Sequence, residues 1–301
     1  MVGDRRRDSV EKGAKISMSK TLLIDSNYIC HRARFAIHRE LSHEGQDTKV
    51  IFGFLMELLQ LHRQFDTREF LFFWDSRKNK RKEIYPGYKL REPRSDEDEE
   101  QFQKDLLQFR LLKCNVLPQI GFRNSYCQTG YESDDLMARL VMRNSLQSWV
   151  IVTGDEDMYQ LLDYCTVWHP AKKLLYDKTE LWKEYGITPI QWIDVKMIGG
   201  CTSDTVPGIP GVAEKTAAKY LRHELKPESR AFLMIESPEG KEIQQRNREL
   251  VALPLDKTPT VSIDKDSLNL YGLKEICQQY GLSSFLHGER WQEWVSFLQK
   301  G

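Results

Sequence analysis

No stretch of this chain is apolar for long enough to cross a bilayer as a helix, so a membrane-spanning role is not expected. The opening residues, MVGDRRRDSVEKGAKISMSK, lack the apolar centre of a secretory signal. They read as a polar, mobile extension over 1–19, with Met18 an alternative start and Arg5 to Arg7 part of a solvated tail. The six cysteines (Cys30, Cys114, Cys127, Cys165, Cys201, Cys277) are scattered, with no C-x-x-C pair and no neighbouring histidine. Zinc-site spacing and a disulfide framework are therefore excluded, and an intracellular, reducing compartment is expected. The phosphate loop G-x-x-x-x-G-K-S/T, the dinucleotide pattern G-x-G-x-x-G, the nucleophile elbow G-x-S-x-G and the zinc helix H-E-x-x-H are all missing. No histidine lies near Cys201, so a cysteine nucleophile is not expected either. Net charge is zero, which would argue against a polyanionic partner if charge were evenly spread. It is not.

What the chain does have is acid at the ends of apolar runs. Asp25 follows LLI, Asp75 follows FLFFW, and Asp155 and Asp157 follow WVIVTG. Glu132, Asp134 and Asp135 open the helix-patterned stretch ESDDLMARL, and Asp204 sits in GGCTSDTVPGIPGV. Short continuous apolar runs predict parallel strands buried on both faces. The carboxyl ends of such strands share one edge, where ligands bind. A single acidic loop residue is usually just solvated, and acids in a first helical turn complement the helix dipole. So many carboxylates gathered at one edge would repel each other, and bound hard cations with oxygen ligands relieve that. Two ions roughly 3.5–4 Å apart could then serve phosphodiester hydrolysis.

The pattern predicts strands at 20–25, 69–75, 149–155 and 165–170, with a short one near 121–127. Helices are predicted from Ser26, over 51–64, from Gln101, from Glu132, over TPIQWIDVKMIGG and over VAEKTAAKYLRHEL. Strands alternating with helices give a mostly parallel α/β sheet. Composition changes abruptly at SRKNKRKEIYPGYKLREPRSDEDEE, where five basic residues fall within 77–82 and an acidic run covers 96–100. Arg77, Lys80, Arg81, Lys82 and Lys89 could meet phosphates there. Tyr85 and Tyr88 could stack on unpaired bases. The segment has few large apolar anchors, so it reads as mobile without a substrate, with Arg81 and Lys89 outside the core. A turn at Gly208 to Gly211, followed by Lys215 and Thr216 at a helix start, can present N–H groups to a phosphate.

From Leu22 to about Leu221 these pieces, in order, resemble the flap endonuclease and 5′-to-3′ exonuclease family, in particular its bacteriophage and bacterial polymerase-associated members. LLIDSN, FFWDS, RKEIYPGYKLR, GYESDDLMA, VTGDEDMYQLL and MIGGCTSDTVPGIPGVAEKTA carry the likeness. It implies a PIN-like 5′-nuclease core over 20–187, a helical arch over about 77–105, and a helix-two-turn-helix and C-terminal helical region over 188–301. It implies a monomeric, Mg²⁺- or Mn²⁺-dependent 5′ nuclease acting on flap, nicked or 5′-ended DNA, with RNA–DNA hybrid a further substrate and replication or repair proteins as partners. Glu132, Asp134, Asp135 and Asp155 would hold the first ion, with Asp25 and Asp75 positioning its waters. Asp157 and Asp204 would hold the second. Arg81, Lys89 and Asp155 would be catalytic, the two cations at the scissile phosphate. The 208–219 turn would bind duplex and, as in relatives, could hold K⁺.

The chain departs from the family at Gly200-Cys201-Thr202-Ser203-Asp204-Thr205, where G-D-x-x-D-N is usual. A thiol is a poor Mg²⁺ ligand, so the second ion should bind more weakly. Ala213 replaces a usual glycine of the turn, which weighs against K⁺. Two rivals follow: a DNA-binding protein whose catalysis is weakened through Cys201, and an RNase H-like 5′ nuclease removing RNA primers.

Overall fold

The computed structural model describes residues 20–37, 41–90, 93, 95–144 and 147–299; the expected extension over 1–19 lies outside them. β1 (Thr21–Asp25) runs directly into α1 (Ser26–Ala36), with Asp25 as the N-cap. A small antiparallel ribbon, β2 (Ser42–His43) with β3 (Gln46–Asp47), leads into α2 (Lys49–Phe65) and then β4 (Phe70–Phe73). The short α3 (Arg81–Ile84) precedes α4 (Asp96–Leu111), which continues through a π turn into α5 (Leu117–Ile120). β5 (Ser125–Tyr126), α6 (Ser133–Arg143), β6 (Trp149–Val152), β7 (Cys165–His169) and β8 (Leu174–Tyr176) complete the sheet. Next come α7 (Lys178–Tyr185), α8 (Pro189–Gly199), a tight hairpin of β9 (Gly200–Cys201) and β10 (Val206–Pro207), and α9 (Glu214–Leu221). α10 (Arg230–Glu236), α11 (Pro238–Val251), α12 (Leu270–Gln279) and α13 (Gly288–Gln299) end it.

The sheet order is β5-β4-β1-β6-β7-β8, all parallel except β8. β4 and β6 are apolar at every position, and β1 from Leu22 to Ile24, because helices cover both faces. Leu22, Ile24, Phe70, Phe72, Val150 and Val152 share one buried layer with α1, α2 and α5. Leu23, Leu71, Phe73, Trp149, Ile151 and Val167 share the other with α6, α7, α8 and α9. Each such side chain contributes about 1.5–3 kcal/mol of transfer free energy. No helix among the described residues is long and apolar enough to cross a membrane.

One expectation changes. α4 starts at Asp96 rather than Gln101: Ser95 caps it by accepting from Asp98 N, and the acidic run forms its first turn, where negative charge suits the dipole. The helices of 188–301 divide between the two buried layers. α12, α13 and the short turn between them bring Leu273, Ile276, Phe285, Trp294 and Phe297 into the first buried layer, while α8 to α10 pack into the second. Between α11 and α12 the chain runs along the sheet edge, where Asn124 bonds to Asp264 and Asp266.

Candidate active site

The three central strands end together, and that places the acids. Asp25 closes β1, Asp75 lies two residues beyond β4, and Asp155 three beyond β6. Asp25 accepts from Tyr28 N at 3.0 Å and from Thr153 Oγ1 at 2.8 Å. Asp75 accepts from both N and Oγ of Ser133 at 3.0 Å, which ties β4 to the start of α6 and hence to Asp134. Burial, and next Asp75, raise the Asp25 carboxyl to about 6. Burial, and next Asp157, raise Asp155 to about 8, and burial with Asp155 pushes Asp134 well upward. Asp25, Asp75, Asp134 and Asp155 thus form a hard, oxygen-only set, in which burial and then neighbouring carboxylates disfavour ionisation of Asp25 and Asp134. That donor chemistry fits a divalent cation such as Mg²⁺ or Mn²⁺.

A second group is tighter. Ligand atoms of Asp157, Cys201 and Asp204 all lie within 4.8 Å of one another, and all three residues are buried. Cys201 Sγ lies 3.4 Å from Asp157 Oδ2, and burial followed by Asp157 and Asp204 raises its thiol to about 12. Lys196, which the sequence reading did not single out, stands 2.9 Å from Asp157 Oδ1 as an ion pair without directional hydrogen-bond geometry; its hydrogen bond goes to Glu214 at 2.7 Å. Its signal was a lone lysine among Val195, Met197 and Ile198 of an apolar helix. This donor set fits a hard cation less well than the first, because one ligand is a thiol and an ammonium already neutralises Asp157.

The basic stretch is more anchored than expected. Arg81 is 1% exposed: its guanidinium binds Asp135 at 2.7 and 2.8 Å and Glu132 at 3.2 Å, and Nε donates to Leu250 O. The reading of Arg81 as an exposed phosphate contact is corrected: a buried carboxylate pair needs a counter-charge, and Arg81 supplies it in bidentate form. Asp135 is corrected with it. Its oxygens also accept from Glu132 N and Leu255 N, so it is a bracing residue rather than an open ligand. Tyr88 is 2% exposed, too buried to stack on a base. Its hydroxyl lies 2.8 Å from Glu132 Oε2 and from Asp204 Oδ2, and it donates to one at a time.

Lys89 is the cation that does face the carboxylates, pairing with Glu132 and lying 3.5 Å from Asp204. Its burial works against the charge, but Glu132 and Asp204 hold its pKa well above the ordinary value. Its backbone is left-handed at φ 48°, uncommon for a residue with a Cβ, and its N–H donates to Asp204 O at 2.8 Å. Of the other expected contacts, Arg77 and Lys82 are exposed, and Lys80 donates to Tyr131 Oη at 2.6 Å. Tyr85 is half-buried beneath Arg246. Gly208 packs so closely on Gly199 that a Cβ would lie 2.2 Å from its carbonyl, whereas Gly211 (φ +80°) turns in open space. Lys215 and Thr216 sit in the first turn of α9, Lys215 exposed.

Residues 20–186 match the family described as 5′-3′ exonuclease, N-terminal resolvase-like domain. Thermostable DNA polymerase I of Thermus thermophilus is 31% identical over 207 residues, covering 67% of this chain and 24% of the polymerase. DNA polymerase I of Mycobacterium leprae is 33% identical over 210 residues, covering 66% and 22%. The chain thus spans about a quarter of the length of these relatives. Among solved structures, bacteriophage T5 5′-exonuclease with bound divalent zinc ions aligns with TM-score 0.65 at 18% identity, covering 78% of this chain and 90% of that one. Flap endonuclease-1 of Methanococcus jannaschii aligns with TM-score 0.57 at 17% identity, covering 93% and 91%. These likenesses show a shared fold. With a family match over more than half its length, on a sheet whose central strands carry the acids, the chain belongs to the 5′-3′ exonuclease family.

Proposed function

We propose that this chain is a divalent-cation-dependent, structure-specific 5′ nuclease that hydrolyses phosphodiester bonds in flap or 5′-ended DNA. The observation that carries this is the convergence of Asp25, Asp75, Asp134 and Asp155 from three parallel strands and α6, beside an arch segment that holds Lys89 over Glu132. Asp25, Asp75, Glu132, Asp134 and Asp155 would hold or orient the first cation, and Asp157 and Asp204 a weaker second one. Bound there, Mg²⁺ or Mn²⁺ supplies Lewis acidity and eases ionisation of water. Lys89 is partly exposed on a long, flexible stem, so its ammonium can exchange Glu132 for a substrate phosphate and stabilise charge developing there. Arg81 cannot exchange without leaving the buried Asp135 carboxylate with no cationic partner among the described residues, and its role is to fix Glu132 and Asp135. Arg77, Lys82 and Lys215, all exposed, would meet the DNA backbone.

A K⁺ site at the 208–211 turn has less support. Pro207 O is already taken by Arg246 and Asn247, and Ile209 O by Val212 N.

The test is cleavage of a 5′-labelled flap duplex in Mg²⁺, Mn²⁺ or EDTA, with an RNA–DNA hybrid run alongside. Flap cleavage with either cation and none in EDTA is expected. DNA binding without cleavage would favour the catalytically weakened alternative, and preferential cleavage of the hybrid would favour the primer-removing one.

A further inference from the structure

The hairpin carrying Cys201 and leading from Asp204 is only two paired residues on each side, too short to hold its own shape in water. Part of what holds it comes from α11, outside the segment that matches the family. Asn247 is fully buried, and its Nδ2 donates to Met197 O at 3.0 Å and Pro207 O at 3.1 Å. Met197 O is one of the carbonyls that the end of α8 leaves unpaired, and Pro207 belongs to β10. Asn247 Oδ1 accepts from Arg246, whose guanidinium also reaches Pro207 O at 2.7 Å and covers the Tyr85 ring at 5.3 Å. One amide therefore locks the end of α8 to the far side of the hairpin, and its neighbour adds the arch.

The run just after it repeats this bracing at the other acids. Leu250 O accepts from Arg81 and Leu255 N donates to Asp135. Val251 O and Leu253 N both bond the side chain of Gln160, whose Nε2 also donates to Asp157 O at 2.8 Å. Tyr88, Met197, Cys201, Val206, Leu250 and Val251 pack together in a small apolar cluster of their own. Residues 246–255 thus touch the arch, the start of α6, the segment after Asp157 and the hairpin.

We propose that Asn247 is a positioning residue that sets where Asp157, Cys201 and Asp204 stand relative to the first carboxylate cluster, and that residues 246–255 form the brace it belongs to. The functional side of this rests on the nuclease reading above. Removing the Asn247 amide leaves Met197 O with no donor and Pro207 O with Arg246 alone, so the hairpin loosens. The first cluster stays on its strands.

The experiment uses the full chain and Asn247→Leu, of similar volume but without the amide. Hydrogen exchange over residues 200–207 should quicken, and Mn²⁺ titration followed by electron paramagnetic resonance should show weakening of the weaker ion alone. In single-turnover flap cleavage the Mn²⁺ concentration at half-maximal rate should rise about tenfold, as for loss of an outer-shell partner, while excess Mn²⁺ restores the rate. A merely structural loss would lower the rate at every Mn²⁺ concentration without moving the midpoint, and that result, or unchanged exchange and titration, overturns the proposal. Should Asn247→Leu fail to fold, Arg246→Met decides: a smaller shift in the same direction supports the brace, and none overturns it. A wild-type protein that cuts no flap would sink the nuclease reading, while hydrogen exchange and Mn²⁺ binding would still decide this one.

Discussion

The two carboxylate groups lie side by side and are built on opposite plans. The first gathers Asp25, Asp75, Asp134 and Asp155 with no basic side chain hydrogen-bonded to any of them among the described residues. Burial first, and neighbouring carboxylates next, displace Asp25, Asp134 and Asp155 upward. The second packs its ligand atoms within 4.8 Å, closer than like charges would tolerate unaided. It can do so because Cys201 is neutral and Lys196 balances Asp157. The tighter group therefore carries a neutral thiol and an ion-paired carboxylate within its own ligand set. Compactness of acidic side chains is a poor guide to cation demand unless the counter-charges are counted.

The sharpest way to break this comparison is at Asp155. Asp155→Asn should cut single-turnover flap cleavage about a thousandfold, the scale of losing several kcal/mol of charge stabilisation, with DNA affinity retained. Near-normal turnover would show that the first group is not where the reaction happens.

Next, Arg81 and Lys89 should part company. Arg81→Met strips the counter-charge from Asp135, leaves Glu132 with Lys89 alone, and should cost about 3–5 kcal/mol of stability in denaturant unfolding. Lys89→Ala should leave stability nearly unchanged, lower the cleavage rate about a hundredfold, and reduce the log–log salt slope of flap binding by about one. Matching effects of the two substitutions on stability and rate would return Arg81 to the phosphate-contact role read from the sequence.

A smaller effect tests the second group. Cys201→Asp replaces a thiol with a charged oxygen ligand and should lower the Mg²⁺ concentration at half-maximal activity about tenfold. An unmoved titration curve would mean that residue 201 does not reach the ion.

The smallest effect concerns pH without metal. Asp155 at about 8 and Asp25 at about 6 both lie above the ordinary carboxyl value of 3.8, so the folded protein binds these protons more tightly than the unfolded chain. Their contribution is fully present below about pH 4 and is lost as pH rises through the folded values, so stability in EDTA should fall between about pH 4 and pH 8. Thermal midpoints in EDTA should drop by a few degrees across that window, and Mn²⁺ should reverse the drop by binding the ionised form. Asp155→Asn should flatten the EDTA profile; a profile as steep as wild type would rule out Asp155 as its source.

Much of this architecture could be read along the chain. β1, β4 and β6 were legible because a strand covered on both faces is apolar at every position, and the acid that ends each run marks the open edge. The buried roles of Arg81 and Tyr88 were not legible. A lysine- and arginine-rich stretch looks solvated until the carboxylates it neutralises are brought beside it, and Asp135 lies 54 residues further along. Lys196 was visible only as an anomaly in an apolar helix. Asn247 gave no signal at all, since its partners Met197 and Pro207 are 50 and 40 residues away and contribute only backbone carbonyls, which no residue type announces.

By itself, then, the sequence determined the parallel sheet, the family and the set of acids at its edge, because periodicity and acid-terminated apolar runs are local properties of the chain. Tertiary structure alone decided which of those acids are left open to a cation and which are held by Arg81 or Lys196. It also decided that residues 246–255 touch the arch, the start of α6 and the hairpin. Charge compensation and carbonyl capping depend on distances between remote segments, and those exist only once the chain has folded.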